Sequence, residues 1–400
     1  MSKKYSGADI LRTIACLFIF FYHCNTILPG EWKGITWFGE DIGNGLFFII
    51  SGFGLYPSVA GTSFANRSSG LSDPLSPSSD ALSGWRSPAK DFLHWYRKRI
   101  SKILPPVLAV YVLSFFTGYY RVESLWQAFV VFLYPSLYWF LSSILISYIP
   151  YYFLGKLCRN GGKIAGFTVW ICILIPFLIS DPVASRYFSG LGYMLMGFLI
   201  RSQFERNESK GIMKTFAGDE GRDIKSGAGS EDPVKKAIEQ EDRLVRLNAV
   251  VMLALGIALI MIYGFMKSQD MTKYCRAVSV LVCPVLLIAF CLSEPITACG
   301  NGIRPDHVRY KQRFIEEEAG ILKFKEGRGL KIFSAIGKMA LPLYIVQCFN
   351  GGMIGFYILQ HIKFPLSFAV NLVVVWSITL VIYGLMQLPA GRKVRQTTDA

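Results

Sequence analysis

The chain has 400 residues, 52% of them apolar and only 17% charged, with a formal charge of +15. Its apolar residues come in runs of about 20, the length that crosses a bilayer, which excludes an ordinary soluble enzyme of two or three domains. The charge by itself would suit a nucleic-acid binder; its placement along the chain makes such a partner unnecessary, as the loops show.

The first apolar run, 8–24, holds an arginine near its start and a histidine near its end. Arg12 and His23 are eleven positions apart, which puts them on one helical face about 16 Å from each other along the axis. Ionisable groups inside a span are costly and mark a pathway or a reaction site. Taken singly, Arg12 could snorkel to the headgroups and His23 could bond a neighbouring helix. Two such groups on one stripe favour the functional reading. The run is too long for the core of a cleaved leader and no small-residue cleavage site comes after it, so it is expected to remain as a helix.

Ten spans are predicted, at about 8–28, 42–60, 103–120, 136–155, 164–180, 184–201, 248–266, 274–292, 333–358 and 366–388. An amphipathic segment at 122–134 is expected at the interface or dipping into the protein. With both termini in the cytoplasm, 33 of the 42 Lys and Arg fall in inner pieces and 7 in outer ones, with Arg12 and Lys338 inside spans. That bias orients the chain. It also explains the net charge, because basic loops meet the anionic inner leaflet. The long cytoplasmic connections are placed at about 61–102, 202–247 and 293–331. The first is rich in Ser, Pro and Gly; in the second, 231–248 is expected to form a surface helix running into the seventh span.

The second span opens with Gly43-Asn44-Gly45 and continues through Phe47-Phe48-Ile49-Ile50-Ser51-Gly52-Phe53. Small residues in a span let helix backbones approach closely, which is the reading for Gly45, Ser51 and Gly52. Asn44 is expected at about the depth of His23, with Glu40 and Asp41 just above as groups that could orient the imidazole. Before the third span, Trp95-Tyr96-Arg97-Lys98-Arg99-Ile100-Ser101-Lys102 leads into Pro105-Pro106. This stretch reads either as a topology anchor or as a grip for phosphate, since Arg offers a planar fork and Lys a point charge. Coenzyme A, with a pyrophosphate and a 3′-phosphate, is one polyanion it could hold. Tyr344 and Gln347 in the ninth span read as interhelical hydrogen-bonding groups. The nine cysteines lack metal-ligand spacing; Cys275, Cys283, Cys291 and Cys299, eight apart, read as small apolar side chains.

In this order and spacing, the landmarks resemble acyltransferase family 3, membrane proteins that move acyl groups onto surface polysaccharides and related molecules. The matching residues are Asp9, Arg12 and His23; the Phe47–Phe53 stretch; Arg99-Ile100-Ser101-Lys102 ahead of Pro105; Trp139-Phe140-Leu141; the glycine pattern at 192–197; and Ile336-Gly337 through Tyr344. Lys102 stands where the family has a second arginine, and Gln347 where many members have histidine. The resemblance runs from Tyr5 to about Ile382 and is densest in the first 150 residues. It implies one membrane acyltransferase domain over 1–400, in the cell membrane. It implies acyl-CoA, most often acetyl-CoA, as donor from the cytoplasm. The implied acceptor is a hydroxyl on a cell-surface glycan or its lipid-linked precursor. In that frame Arg99 and Lys102, with Arg97 and Lys98 beside them, hold the coenzyme phosphates. The pantetheine arm threads between helices, His23 acts as general base and Arg12 lines the donor channel. No metal is expected. The competing class is a transporter or flippase for a sugar-containing substrate, which would also place ionisable groups in a bundle; no repeated half-and-half pattern supports it.

Overall fold

The structure is a computed structural model that describes residues 5–60, 88–116, 140–156, 189–206, 233–292, 328–352 and 361–398, together with 123–124, 126–127 and 171. The expected span at 164–180, Trp139 and most of the segment 122–134 lie outside the described residues, apart from the few positions just named. Every regular element among the described residues is helical: α1 (Ser6–His23), α2 (Asn44–Ala60), α3 (Pro88–Phe116), α4 (140–156), α5 (189–206), α6 (Pro233–Ser268), α7 (Thr272–Leu292), α8 (Arg328–Lys338), α9 (Ala340–Gly352) and α10 (Leu366–Thr398). Among the described residues, five helical stretches are long and apolar enough to cross a membrane: Gly30–Val59, Ala89–Phe116, Arg243–Ser268, Tyr274–Leu292 and Leu366–Gln387.

Helix α1 is not one of those five. Asp9, Arg12 and His23 shorten its apolar middle, and the chain turns at Cys24–Ile27, before the expected end at 28. It is instead the hub of the bundle, in contact with α2, α7, α8 and α9. The share of buried residues is 72% in the apolar 18-residue part of Gly30–Val59 but 17% in that of Arg243–Ser268, which sets α2 at the centre and α6 at the rim. The apolar side chains that α6 exposes, such as Val250, Met261 and Phe265, are then suited to acyl chains.

Two backbone contacts fix the central helices. A Cβ on Gly52 would collide with the carbonyl of Met194, and one on Gly197 with the carbonyl of Ile49, so α2 and α5 touch backbone to backbone. In the same way Gly337 of α8 seats on the carbonyl of Asp9 in α1. Thr13 Oγ1 donates to Phe333 O at 2.6 Å at this same crossing. Gly45 packs against Cys283 and Tyr193. Cys275, Cys283 and Cys291 are all buried in α7, as expected of small apolar side chains.

Two boundaries differ from the sequence reading. The basic stretch 97–102 is not a helix start: α3 begins at Pro88, where proline suits a first turn, and carries Pro105 and Pro106 inside it. The ninth span is broken at Met339 into amphipathic α8 and apolar α9. As expected, the surface helix before the seventh span runs into that span, as one helix from Pro233 to Ser268.

Candidate functional site

The site is built from the hub outward. Arg12 Nη1 pairs with Asp9 Oδ1 at 2.6 Å, one turn earlier on α1, and Asp9 is buried. The guanidinium is therefore held by its own helix rather than extended to a headgroup. His23, half-buried, closes the helix at the other end. Phe20 and Phe21 beside it pack on Phe368 of α10, and Asn371 Nδ2 donates to Cys24 Sγ at 3.3 Å. Arg12 and His23 thus lie at opposite ends of one buried helix, and do not form a contact pair.

The segment packed against the His23 end of α1 is a π-helical turn, Gly39–Gly43, with Gly43 N–H donating to Phe38 O at 2.8 Å. Such turns recur at functional sites because the extra residue re-aims the chain beyond it. Gly39 sits against Phe18 and Tyr22, and Gly43 against Ile19. Asn44 consequently lies about one turn, roughly 6 Å, deeper than His23 rather than level with it. Asp41 Oδ2 accepts from Tyr263 at 2.9 Å, and that tyrosine also donates to Trp37 O at 3.1 Å. Asp41 thus serves to tie the π-turn to α6, a partnership invisible in the sequence because the two residues lie more than 200 positions apart.

The basic stretch belongs to the other end of the bundle. Tyr5 at the start of α1 packs on Phe53 of α2, and Trp95 Nε1 donates to Ser58 Oγ one turn further along α2. Beneath the charges is an aromatic floor: Trp95 meets Tyr148 and Tyr152 of α4 at 5.7 and 5.0 Å between centroids, and Tyr96 donates to Leu145 O. Arg99 lies over the Trp95 ring at 5.7 Å, half-buried, and its Nε has no hydrogen-bond partner among the described residues. Arg97, Lys98 and Lys102 are exposed. Lys156 stands over Tyr152 at 4.5 Å, next to the same floor. The structure therefore separates the four cations. Arg99 is set into the protein with donor capacity to spare, and the others form a solvated rim.

Sequence reasoning missed Arg201, 3% exposed, which pairs with Glu205 and lies over Tyr5 at 4.1 Å. Its signal was an arginine at the end of a predicted span. The reading of Gln347 as an interhelical hydrogen-bonding group is corrected. Its side chain is buried and neither amide atom has a partner among the described residues.

A central, buried helix with an ion pair at one end and a histidine at the other, in a bundle whose α3 bears a basic patch, defines a membrane-embedded helical protein with polar groups at both ends of its core. The chain matches the family model of the acyltransferase domain, acyltransferase family 3, over residues 5–386, and it belongs to that family. No curated protein and no solved structure matches it.

Proposed function

We propose that this membrane acyltransferase carries an acyl group, acetyl by the habit of its family, from acyl-CoA to a hydroxyl of a cell-surface glycan or its lipid-linked precursor. The observation that supports this best is the separation of two polar stations by one bundle. Arg99, with an unused buried donor, stands at the Ser6 end, and His23 closes the opposite end of α1. A charged phosphate at the first station and a hydroxyl at the second suit a long, thin donor.

In this mechanism Arg99 and Lys102, with Arg97 and Lys98 at the rim, hold the coenzyme phosphates. Asp9 keeps Arg12 aimed along the channel. His23 accepts the proton of the acceptor hydroxyl as its oxygen attacks the thioester carbonyl. The C–S bond breaks, the coenzyme leaves as thiolate, and the proton held by His23 returns to it or to water. Both termini and the loops 61–102, 202–247 and 293–331 then lie in the cytoplasm, with the acceptor on the far side of the cell membrane.

The test is turnover. Purified protein in lipid nanodiscs should release free coenzyme thiol from acetyl-CoA when an extract of surface glycan is supplied. The glycan of cells lacking the protein should be lighter by the acyl group than that of cells carrying it. Transport of a labelled sugar lipid with no loss of acetyl-CoA would support the transporter class instead.

A further inference from the structure

Gln347 is 1% exposed, and neither Oε1 nor Nε2 of its amide is hydrogen-bonded among the described residues. A buried donor and acceptor left unmade carry their full desolvation penalty. Ordinary cores do not keep such a group; a binding site completed by its ligand does. Other buried polar atoms without a hydrogen-bond partner among the described residues include Ser367 Oγ and Thr379 Oγ1 on α10, and two that lie toward the basic patch, Ser143 Oγ on α4 and Arg99 Nε on α3.

Their placement along the bundle is ordered. Helix α9 contacts both α1, which ends in His23, and α3, which carries Arg99. At the patch end, Tyr96 donates to Leu145 O, and Arg99 lies three residues beyond Tyr96. On α4, Ser143 falls between Leu145 and Phe140, and Phe140 packs on Tyr344 at 4.5 Å between centroids. Gln347 is one turn beyond Tyr344. By helical rise, the path from Leu145 through Phe140 and Tyr344 to Gln347 is about 12 Å. Cys16 Sγ contacts Ala340 O, and His23 and Gln347 each lie seven residues past that contact on their own helices. With α1 and α9 running the same way, as the charge bias assigns them, Gln347 sits level with His23.

We propose that Gln347 is a binding residue for the pantetheine arm of the acyl donor. Nε2 donates to the carbonyl of a pantetheine amide, and Oε1 accepts from the N–H of one. This rests on the donor proposed above. The arm, about a dozen bonds long, spans on the order of 15 Å when extended, which matches the path from the basic patch. A carboxamide is also the side chain that offers a donor and an acceptor together without charge, the complement of the two amides on the arm.

The experiment compares two probes on the full-length protein in nanodiscs. Coenzyme A carries the arm; adenosine 3′,5′-bisphosphate keeps phosphates and base and lacks it. Gln347→Leu should weaken coenzyme A binding roughly ten-fold or more. It should leave the bisphosphate unchanged and keep or raise the thermal midpoint, because an unmade buried amide has been removed. Gln347→Met, unbranched like glutamine, repeats the test if leucine packs badly. Unchanged coenzyme A affinity in a folded variant overturns the inference. Equal weakening of both probes with a lowered midpoint overturns it too, because that is a structural role. Wild-type protein that binds neither probe removes the donor reading, and this inference with it.

Discussion

Replacing Arg99 with alanine should cost far more donor affinity than replacing any of its basic neighbours. In the structure its guanidinium is half-buried over Trp95 and its Nε is unbonded, whereas Arg97, Lys98 and Lys102 point into solvent. A hydrogen bond to a charged group contributes about 1.5–3 kcal/mol, which is roughly 10- to 150-fold in Kd. Exposed charges contribute about 0–1 kcal/mol each and are screened by salt. Arg99→Ala should therefore weaken coenzyme A binding by one to two decades, nearly independently of salt. Arg97→Ala, Lys98→Ala and Lys102→Ala should each shift it a few-fold, with the difference fading at high salt. Stability should fall little, since the loss is one cation–π contact of about 0.5–2 kcal/mol. Calorimetric titration of coenzyme A into nanodisc-embedded protein, at low and high salt, reads all four variants. If Arg99→Ala binds as wild type does while remaining folded, the patch is a topology anchor and the assignment of the phosphate station is wrong.

Other outcomes rest on the same geometry. His23→Ala and His23→Gln should both lose about 10²–10⁴-fold in acyl transfer, measured as thiol release, with normal abundance and normal coenzyme A binding; near-normal transfer by the glutamine variant would refute the general-base role. Gly197→Ala places a methyl on the carbonyl of Ile49 and should lower stability by about 1–3 kcal/mol, read as a fall in the thermal midpoint; an unchanged midpoint would mean that α2 and α5 do not touch as described. A reporter fused after Ala400 should label from the cytoplasm and one at Lys33 from outside; labelling from the same side would refute the orientation drawn from the charge bias.

The helical class and the hub were legible because they rest on composition and spacing. Apolar runs, the Arg12–His23 interval and the glycines of α2 are local facts, and burial of Gly45 and Gly52 against neighbours is what small residues in a span predict. What escaped was set by partners distant in the chain. Asp41 was read only as a group that could orient His23, and its bond to Tyr263, more than 200 positions away, was not visible. Gln347 looked like a hydrogen-bonding group, yet its amide has no hydrogen-bond partner among the described residues. The start of α3 was misplaced because the charges at 97–102 interrupt the apolar run, whereas the helix continues back through them to Pro88. The break at Met339 is flanked by Gly337, Lys338 and Pro342, signals that the reading of 333–358 as one span passed over.

That break bears on how a slender donor enters so tight a bundle. On one side of the core, α2 and α5 are riveted by reciprocal glycines, and α8 is riveted to α1 through Gly337. Sliding either pair apart would strip backbone from backbone along the helix crossing. Helix α9 begins just past the second rivet, and between them Met339 interrupts the helix, with its N–H on Ile336 O and its carbonyl on Leu343 N–H. A few dihedrals at such a junction can swing the helix beyond it while the helix before it stays seated. The bundle thus has a wall held by backbone contacts and a wall that follows a lapse in helical regularity, and Gln347 lies on the second.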